Sequence, residues 1–113
     1  MGNIISEKYS VIYNTKTATI HCQGTMQLTD EEYEPITQFL DEVVALELSR
    51  ITLNIQKLEK LNSSGIAMLG MFLSTVSDNQ TVELVSQFSK KNWQTKLGKT
   101  FQKMMPTLQI EWE

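Results

Sequence analysis

Leu53-Asn54-Ile55-Gln56-Lys57-Leu58-Glu59-Lys60-Leu61-Asn62-Ser63-Ser64-Gly65-Ile66-Ala67-Met68-Leu69 is the stretch whose reading decides the fold. Ile51 to Ile55 alternates apolar and polar side chains, as a strand with one wet face does, and runs out through a short loop. The loop enters a helix opened by Asn62-Ser63-Ser64-Gly65. Asn62 has the short side chain of a helix cap, whose oxygen accepts a hydrogen bond from an N–H of the first turn. Ser63 and Ser64 then fall in that turn, where unpaired N–H groups and the positive helix end favour an added anion. Gly65 costs about 1 kcal/mol relative to alanine inside a helix, so a glycine here points to a group, such as a partner, that approaches the backbone closely.

Working outward, the same alternation of strand and helix recurs. Tyr9 to Tyr13 and Ala18 to Gln23 are β-rich runs joined by the polar turn Asn14-Thr15-Lys16, which predicts an antiparallel hairpin. Thr29-Asp30-Glu31-Glu32 has capping-box spacing, and Ile36, Phe39, Leu40, Val43 and Val44 recur at helical period. Pro35 removes a hydrogen bond inside a helix, so the regular helix is expected to begin at Glu34 or Pro35 with the acidic run as a turn before it. Thr81 to Gln87 and Leu108 to Trp112 alternate as further strands. Ser64 to Ser77 and Asn92 to Met105 read as helices, the second with Trp93, Leu97, Phe101 and Met104 or Met105 on one stripe and Pro106 ending it. The order ββαβαβαβ predicts an α/β fold: a mixed sheet of about five strands with helices packed mainly on one face. No repeat or Pro/Gly-rich linker interrupts it, so residues 1–113 are expected to form a single domain.

The strand-loop-helix stretch resembles the STAS domain, found in bacterial anti-sigma factor antagonists and in the cytoplasmic part of sulfate transporters. Members read as a strand with Leu-Asp-Leu, a short loop, then Asp-Ser-Ser-Gly-Leu and an apolar helix. This chain has Leu53-Asn54-Ile55 and Asn62-Ser63-Ser64-Gly65-Ile66, with asparagine at both aspartate positions. The resemblance covers nearly the whole chain and implies a STAS-like fold and a regulatory, protein-binding, non-catalytic role in signal transduction and transcription regulation. By it, Ser63 is the phosphorylation site, with Ser64 the second choice. The implied partner is a GHKL-type serine kinase acting as an anti-sigma factor, and a metal-dependent serine phosphatase resets the switch. The alternative is a non-phosphorylated scaffold subunit of a signalling complex or of an ABC-type lipid transporter, in which Asn54 and Asn62 have removed the charges that phosphorylation uses. Serine is common at helix starts without modification, so bare spacing does not choose between the two.

The helix after the serines is apolar nearly all round. Projected at about 100° per residue, Ile66, Leu69, Leu73 and Val76 share the side expected to face the sheet, leaving Ala67, Met68 and Met71 nearer the outside. Methionine suits adaptable binding surfaces. The expected partner-binding set is therefore Asn62, Ser63, Ser64, Gly65, Ala67, Met68 and Met71.

Composition narrows the function classes. An apolar content of 41% is enough for one core, and a formal charge of −3 argues against nucleic-acid binding, which needs a surplus of Lys and Arg. The one cysteine, Cys22, cannot form an intrachain disulfide. With no long apolar run and no secretory signal, a cytoplasmic protein without membrane insertion is expected. Met1 to Ser6 fits a myristoylation pattern but no polybasic patch follows, and the sequons at Asn62 and Asn79 require secretion. His21 and Cys22 are consecutive strand residues on opposite faces, so they cannot cooperate as nucleophile and base. No cysteine or second histidine completes a metal set, and no cofactor fingerprint is present. Seven of the thirteen acidic residues lie between Asp30 and Glu47, and five of the ten basic ones between Lys90 and Lys103. Lys96, Lys99 and Lys103 fall close to one helical face.

Overall fold

The computed structural model describes residues 3–79 and 81–113. Met1 and Gly2 of the acylation pattern, and Gln80 of the second sequon, lie outside the described residues. Strands β1 (Ile4–Ile5), β2 (Tyr9–Asn14) and β3 (Thr19–Met26) precede helix α1 (Asp30–Val44); β4 (Arg50–Asn54) and β5 (Leu58–Leu61) lead into α2 (Ser63–Asp78); β6 (Glu83–Phe88), α3 (Asn92–Met104) and β7 (Gln109–Trp112) complete the chain. The main sheet order is β1-β2-β3-β4-β6-β7, with β5 paired to β3. β1, β2 and β3 are antiparallel neighbours, and all later pairings are parallel. From β3 the parallel strands step one way across the sheet. Right-handed crossovers then place all three helices on the same face, which confirms the expected mixed α/β architecture.

Side-chain alternation follows from that one-sided cover. Ile20, Cys22, Ile51, Leu53, Leu84 and Phe88 point into a core completed by Tyr33, Ile36, Leu40, Leu69, Leu73, Leu97 and Phe101 from the helices. Thr52, Asn54 and Gln87 share the other, open face with His21 and Gln23. At the far edge Phe88 meets Phe101 edge-on at 6.0 Å and Trp112 at 5.5 Å.

Two strands exceed the expected five. Ile4–Ile5 is too short to show a period, and Leu58–Leu61 carries two charged residues at its centre, so its sequence reads as loop. It becomes a strand because β3 is longer than β4. Thr19 to His21 pair with β4, whereas Gly24 to Met26 run past its end and pair with β5. The change of neighbour occurs at a bulge between Gly24 and Thr25. Gly24 has φ +87°, and a Cβ there would collide with the Lys8 carbonyl oxygen, so glycine is required at the bend.

Between β4 and β5 the chain leaves β6, which exposes backbone carbonyls to a dry interior. Gln94, fully buried on α3, repairs this: its Nε2 donates to the carbonyls of Ile55 at 2.8 Å and Leu58 at 3.1 Å, and its Oε1 accepts from Ser89 N–H at 2.6 Å. The helix start expected at Glu34 or Pro35 is corrected by the structure. Helix α1 begins at Asp30, with Thr29 as N-cap and the full capping box formed: Glu32 N–H donates to Thr29 Oγ1 at 3.2 Å and Thr29 N–H to Glu32 Oε1 at 3.0 Å. Hydrogen bonding from the Thr29 backbone N–H, and then from its side chain, holds the Glu32 carboxyl below its usual range. Pro35 sits inside, on the exposed face, where it forgoes a single helix bond.

Replacing Gln94 with leucine removes its bonds to all three groups: the Ile55 carbonyl keeps the N–H of Leu58 at 3.0 Å, but the Leu58 carbonyl loses its Gln94 donor in the interior and the half-buried Ser89 N–H loses its acceptor. Equilibrium urea unfolding should show a loss of roughly 2 kcal/mol, against a small change for the exposed neighbour Lys96→Ala.

Candidate functional site

The amino end of α2 is built around one asparagine. Asn62 follows β5 and is the N-cap, with Ser63, Ser64 and Gly65 as the first three helical residues. Its Oδ1 accepts from Gly65 N–H at 3.0 Å and from the Tyr33 hydroxyl at 2.7 Å, while its Nδ2 donates to the Leu28 carbonyl at 2.8 Å. Its backbone N–H donates to Met26 at the end of β3 at 3.1 Å. One side chain thus ties α2 to α1 and to the segment leaving β3. Tyr33 Oη also lies 3.0 Å from the Met26 carbonyl. Its single proton serves the shorter contact to Asn62. Burial pushes the Tyr33 phenol above its ordinary pKa and keeps that proton in place.

This geometry accounts for asparagine where the resembled pattern has aspartate. An ionised aspartate could accept from Gly65 and Tyr33 but would set an oxygen against the Leu28 carbonyl, acceptor facing acceptor. Asn54, the other such position, accepts from Gln56 N–H at 2.9 Å and shapes the turn that follows β4.

Ser63 is exposed, and Ser64, half-buried, lines a groove of about 470 Å³ between α1 and α2. Ser64, Ala67, Met68 and Met71 line it from α2, and Asp30, Tyr33, Glu34 and Thr37 are among those facing them from α1. Of the expected set, Ser64, Ala67, Met68 and Met71 line this groove, whereas Asn62, Ser63 and Gly65 do not, and three expectations are corrected. Met68 is only 6% exposed and forms part of the groove floor, whereas Met71 is 66% exposed. The projection treated the sheet as the helix's single neighbour; α2 is the middle helix, and α1 covers the Met68 side. Ile66, expected to face the sheet, is half-buried on the other side, towards α3. The close approach at Gly65 comes from within the chain: a Cβ there would collide with Tyr33 Oη and Leu61 Cδ1.

Other candidates fall away from this corner. Cys22 is buried in the core, where desolvation pushes its thiol up to about 12, so it stays a neutral thiol. His21 lies on the open sheet face, paired in register with Ile12 and Asn54. Among the described residues, no group of three or more His, Cys, Asp or Glu gathers to hold a metal ion, and no helix is long and apolar enough to cross a membrane. Sequence reading missed Tyr33 and Gln94. Tyr33 has apolar spacing in its helix, and Gln94 stands beside the more conspicuous Trp93.

The sequence matches no family model and no curated protein. Solved structures do match. One is a chain of the crystal structure of diguanylate cyclase SiaD in complex with its activator SiaC from Pseudomonas aeruginosa, with TM-score 0.73, 15% identity and full coverage of both chains. Another is SiaC of Pseudomonas aeruginosa, with TM-score 0.70, 13% identity and full coverage of both chains. The chain shares the SiaC fold. At these identities the likeness is one of architecture, a seven-stranded mixed sheet with three helices that agrees with a STAS-like fold. SiaC is an activator that works in complex with the cyclase it activates. A fold of this kind therefore serves as a protein-binding regulatory module in that system.

Gly65→Ala must push Tyr33 and Leu61 aside and disturb the Asn62 bonds. We expect a loss of about 2 kcal/mol in urea unfolding, despite alanine's better helix propensity; a gain in stability would contradict the contact.

Proposed function

We propose that this chain is a regulatory binding module, not an enzyme, that controls a signalling enzyme by docking on it through the amino end of α2 and the α1–α2 groove. The observation that carries the reading is the placement of Ser63. Its exposed side chain stands at the first position of a capped helix, next in the chain to Ser64, which lines an apolar groove floored by Met68 and rimmed by Asp30 and Glu34. A helix start tolerates a phosphate, because free N–H groups and the helix dipole favour the anion. A docked partner does not. Covering a group with a charge of about −1.5 to −2 next to the lip of an apolar groove strips its water without an assured partner, so phosphorylation of Ser63 releases the complex.

The partner is a signalling enzyme of one of two kinds: a GHKL-type serine kinase, as the STAS resemblance implies, or a diguanylate cyclase, the class that SiaC activates. A metal-dependent serine phosphatase would then restore the binding form. The amide of Asn62 is committed to holding the helix start, which serves docking with or without phosphorylation of Ser63.

A photo-crosslinking residue at position 71 should capture a kinase or cyclase in the source cells, and one at Thr52 on the open sheet face should not. Against the captured enzyme, Met71→Glu and Ser63→Asp should each weaken binding by at least about tenfold, or 1.4 kcal/mol, with circular dichroism unchanged. Mass spectrometry should find phosphate on Ser63 in part of the native population. Unchanged affinity for both variants would remove this face from the interface. An unmodified Ser63 together with normal binding would leave a constitutive scaffold in place of a switch.

A further inference from the structure

We infer that a second surface, the trough between the outer edge of β5 and helix α3, receives an extended acidic and apolar segment of a protein partner, which pairs with β5 as an added strand. The trough lies across α2 from the groove described above. Ile66 faces it, whereas Ser64 and Ala67 face the other.

Three observations converge on this occupant. The first is an open edge. β4 has strand neighbours on both sides, but β5 pairs with β3 alone. Gln94 serves the carbonyls of Ile55 and Leu58 and reaches no further along the strand, so among the described residues the edge from Glu59 to Leu61 has no strand beside it. An open edge of this kind is where an extended peptide adds by main-chain hydrogen bonding.

The second is shape. The edge gives onto a trough of about 430 Å³ lined by Leu61, Ile66, Trp93 and Leu97, the first three of them half-buried. That volume accepts one or two large apolar side chains of an incoming strand, and a half-exposed tryptophan in an apolar recess is the usual anchor of such contacts. A lysine on an edge strand often serves to discourage pairing, and Lys60 could be read so. That role does not account for an apolar recess and a tryptophan beside it.

The third is charge. Lys60 and Lys96 line the trough against the single carboxylate of Glu59. Between Glu83 and Glu111 the sequence has no acidic residue and five lysines, in a chain whose formal charge is −3. The positive field is therefore local to α3 and the turn before it, and it selects Asp and Glu flanking the apolar anchors. The net negative charge of the whole chain, with main-chain pairing groups at the edge, favours a peptide over a nucleic acid.

A random twelve-residue peptide library displayed on phage, selected in parallel on the full-length chain and on Trp93→Ala and Lys96→Glu variants, tests this. Circular dichroism and melting of both variants come first; Lys96→Glu alters one exposed side chain and so keeps the test valid if Trp93→Ala unfolds. The expected result is enrichment on the native chain of peptides with Asp or Glu around large apolar residues. They should lose at least about tenfold in affinity on Lys96→Glu and shift the amide resonances of Glu59 to Leu61 with intermolecular main-chain contacts. No enrichment, peptides without acidic bias, equal affinity for Lys96→Glu, shifts confined to the α1–α2 groove, or tighter binding of an oligonucleotide at the trough would each overturn the inference. The α1–α2 proposal is read at Met71 and Ser63 and stands or falls separately.

Discussion

The structure depends on what the amide of Asn62 can do that a carboxylate cannot. A side chain with an acceptor and a donor sits where four segments converge: the end of β3, the Leu28 segment, the first turns of α1, and the start of α2. Its oxygen takes two protons and its nitrogen gives one, so the helix start is capped and tied to α1 by the same group. Tyr33 is fixed by this arrangement, and Gly65 is required by it, since Tyr33 occupies the space that a Cβ would need. The serines that follow are therefore held in a fixed attitude, Ser64 at the lip of the α1–α2 groove, and the rigidity of the site comes from its buried neighbours.

A second constraint is the mismatch in length between β3 and β4. An eight-residue strand beside a five-residue one must find another neighbour, and β5 supplies it at the expense of the ladder to β6. Gln94 satisfies the carbonyls left behind. The same divergence leaves the outer edge of β5 open beside a basic helix, so the repair of one backbone problem creates the surface assigned to a second segment. The two candidate surfaces carry opposite charge, acidic along α1 and basic along α3, and flank a single helix that opens with an exposed serine.

Most of the architecture was legible in the sequence because it rests on periodicity. Val82 and Leu84, or Trp93, Leu97 and Phe101, declare their elements through spacing alone, and Asn62-Ser63-Ser64-Gly65 declares a helix start through capping chemistry. What escaped notice depends on tertiary neighbours. Leu58–Leu61 is a strand only because the end of β3 is free to pair with it, and nothing in Leu-Glu-Lys-Leu announces that. Met68 is buried because α1 lies over it, which a projection of α2 on its own cannot register. The start of α1 was misplaced for a different reason: the capping box at Thr29 and Glu32 outweighs the one hydrogen bond that Pro35 forgoes. Tyr33 and Gln94 were hidden because each acts through a polar atom aimed at a distant backbone or side-chain group, 29 and 39 residues away for the bonds to Asn62 and Ile55.

The account stands on Asn62 and Tyr33 acting as one unit that fixes the start of α2, and a thermodynamic double-mutant cycle measures that unit directly. Tyr33→Phe, Asn62→Ala and the double variant, compared with the native chain by urea unfolding, should give a coupling of about 1 kcal/mol or more, the two losses overlapping because either change breaks the shared bond. Strictly additive losses, with coupling near zero, would show that the two side chains act separately and that the helix start is held by something else.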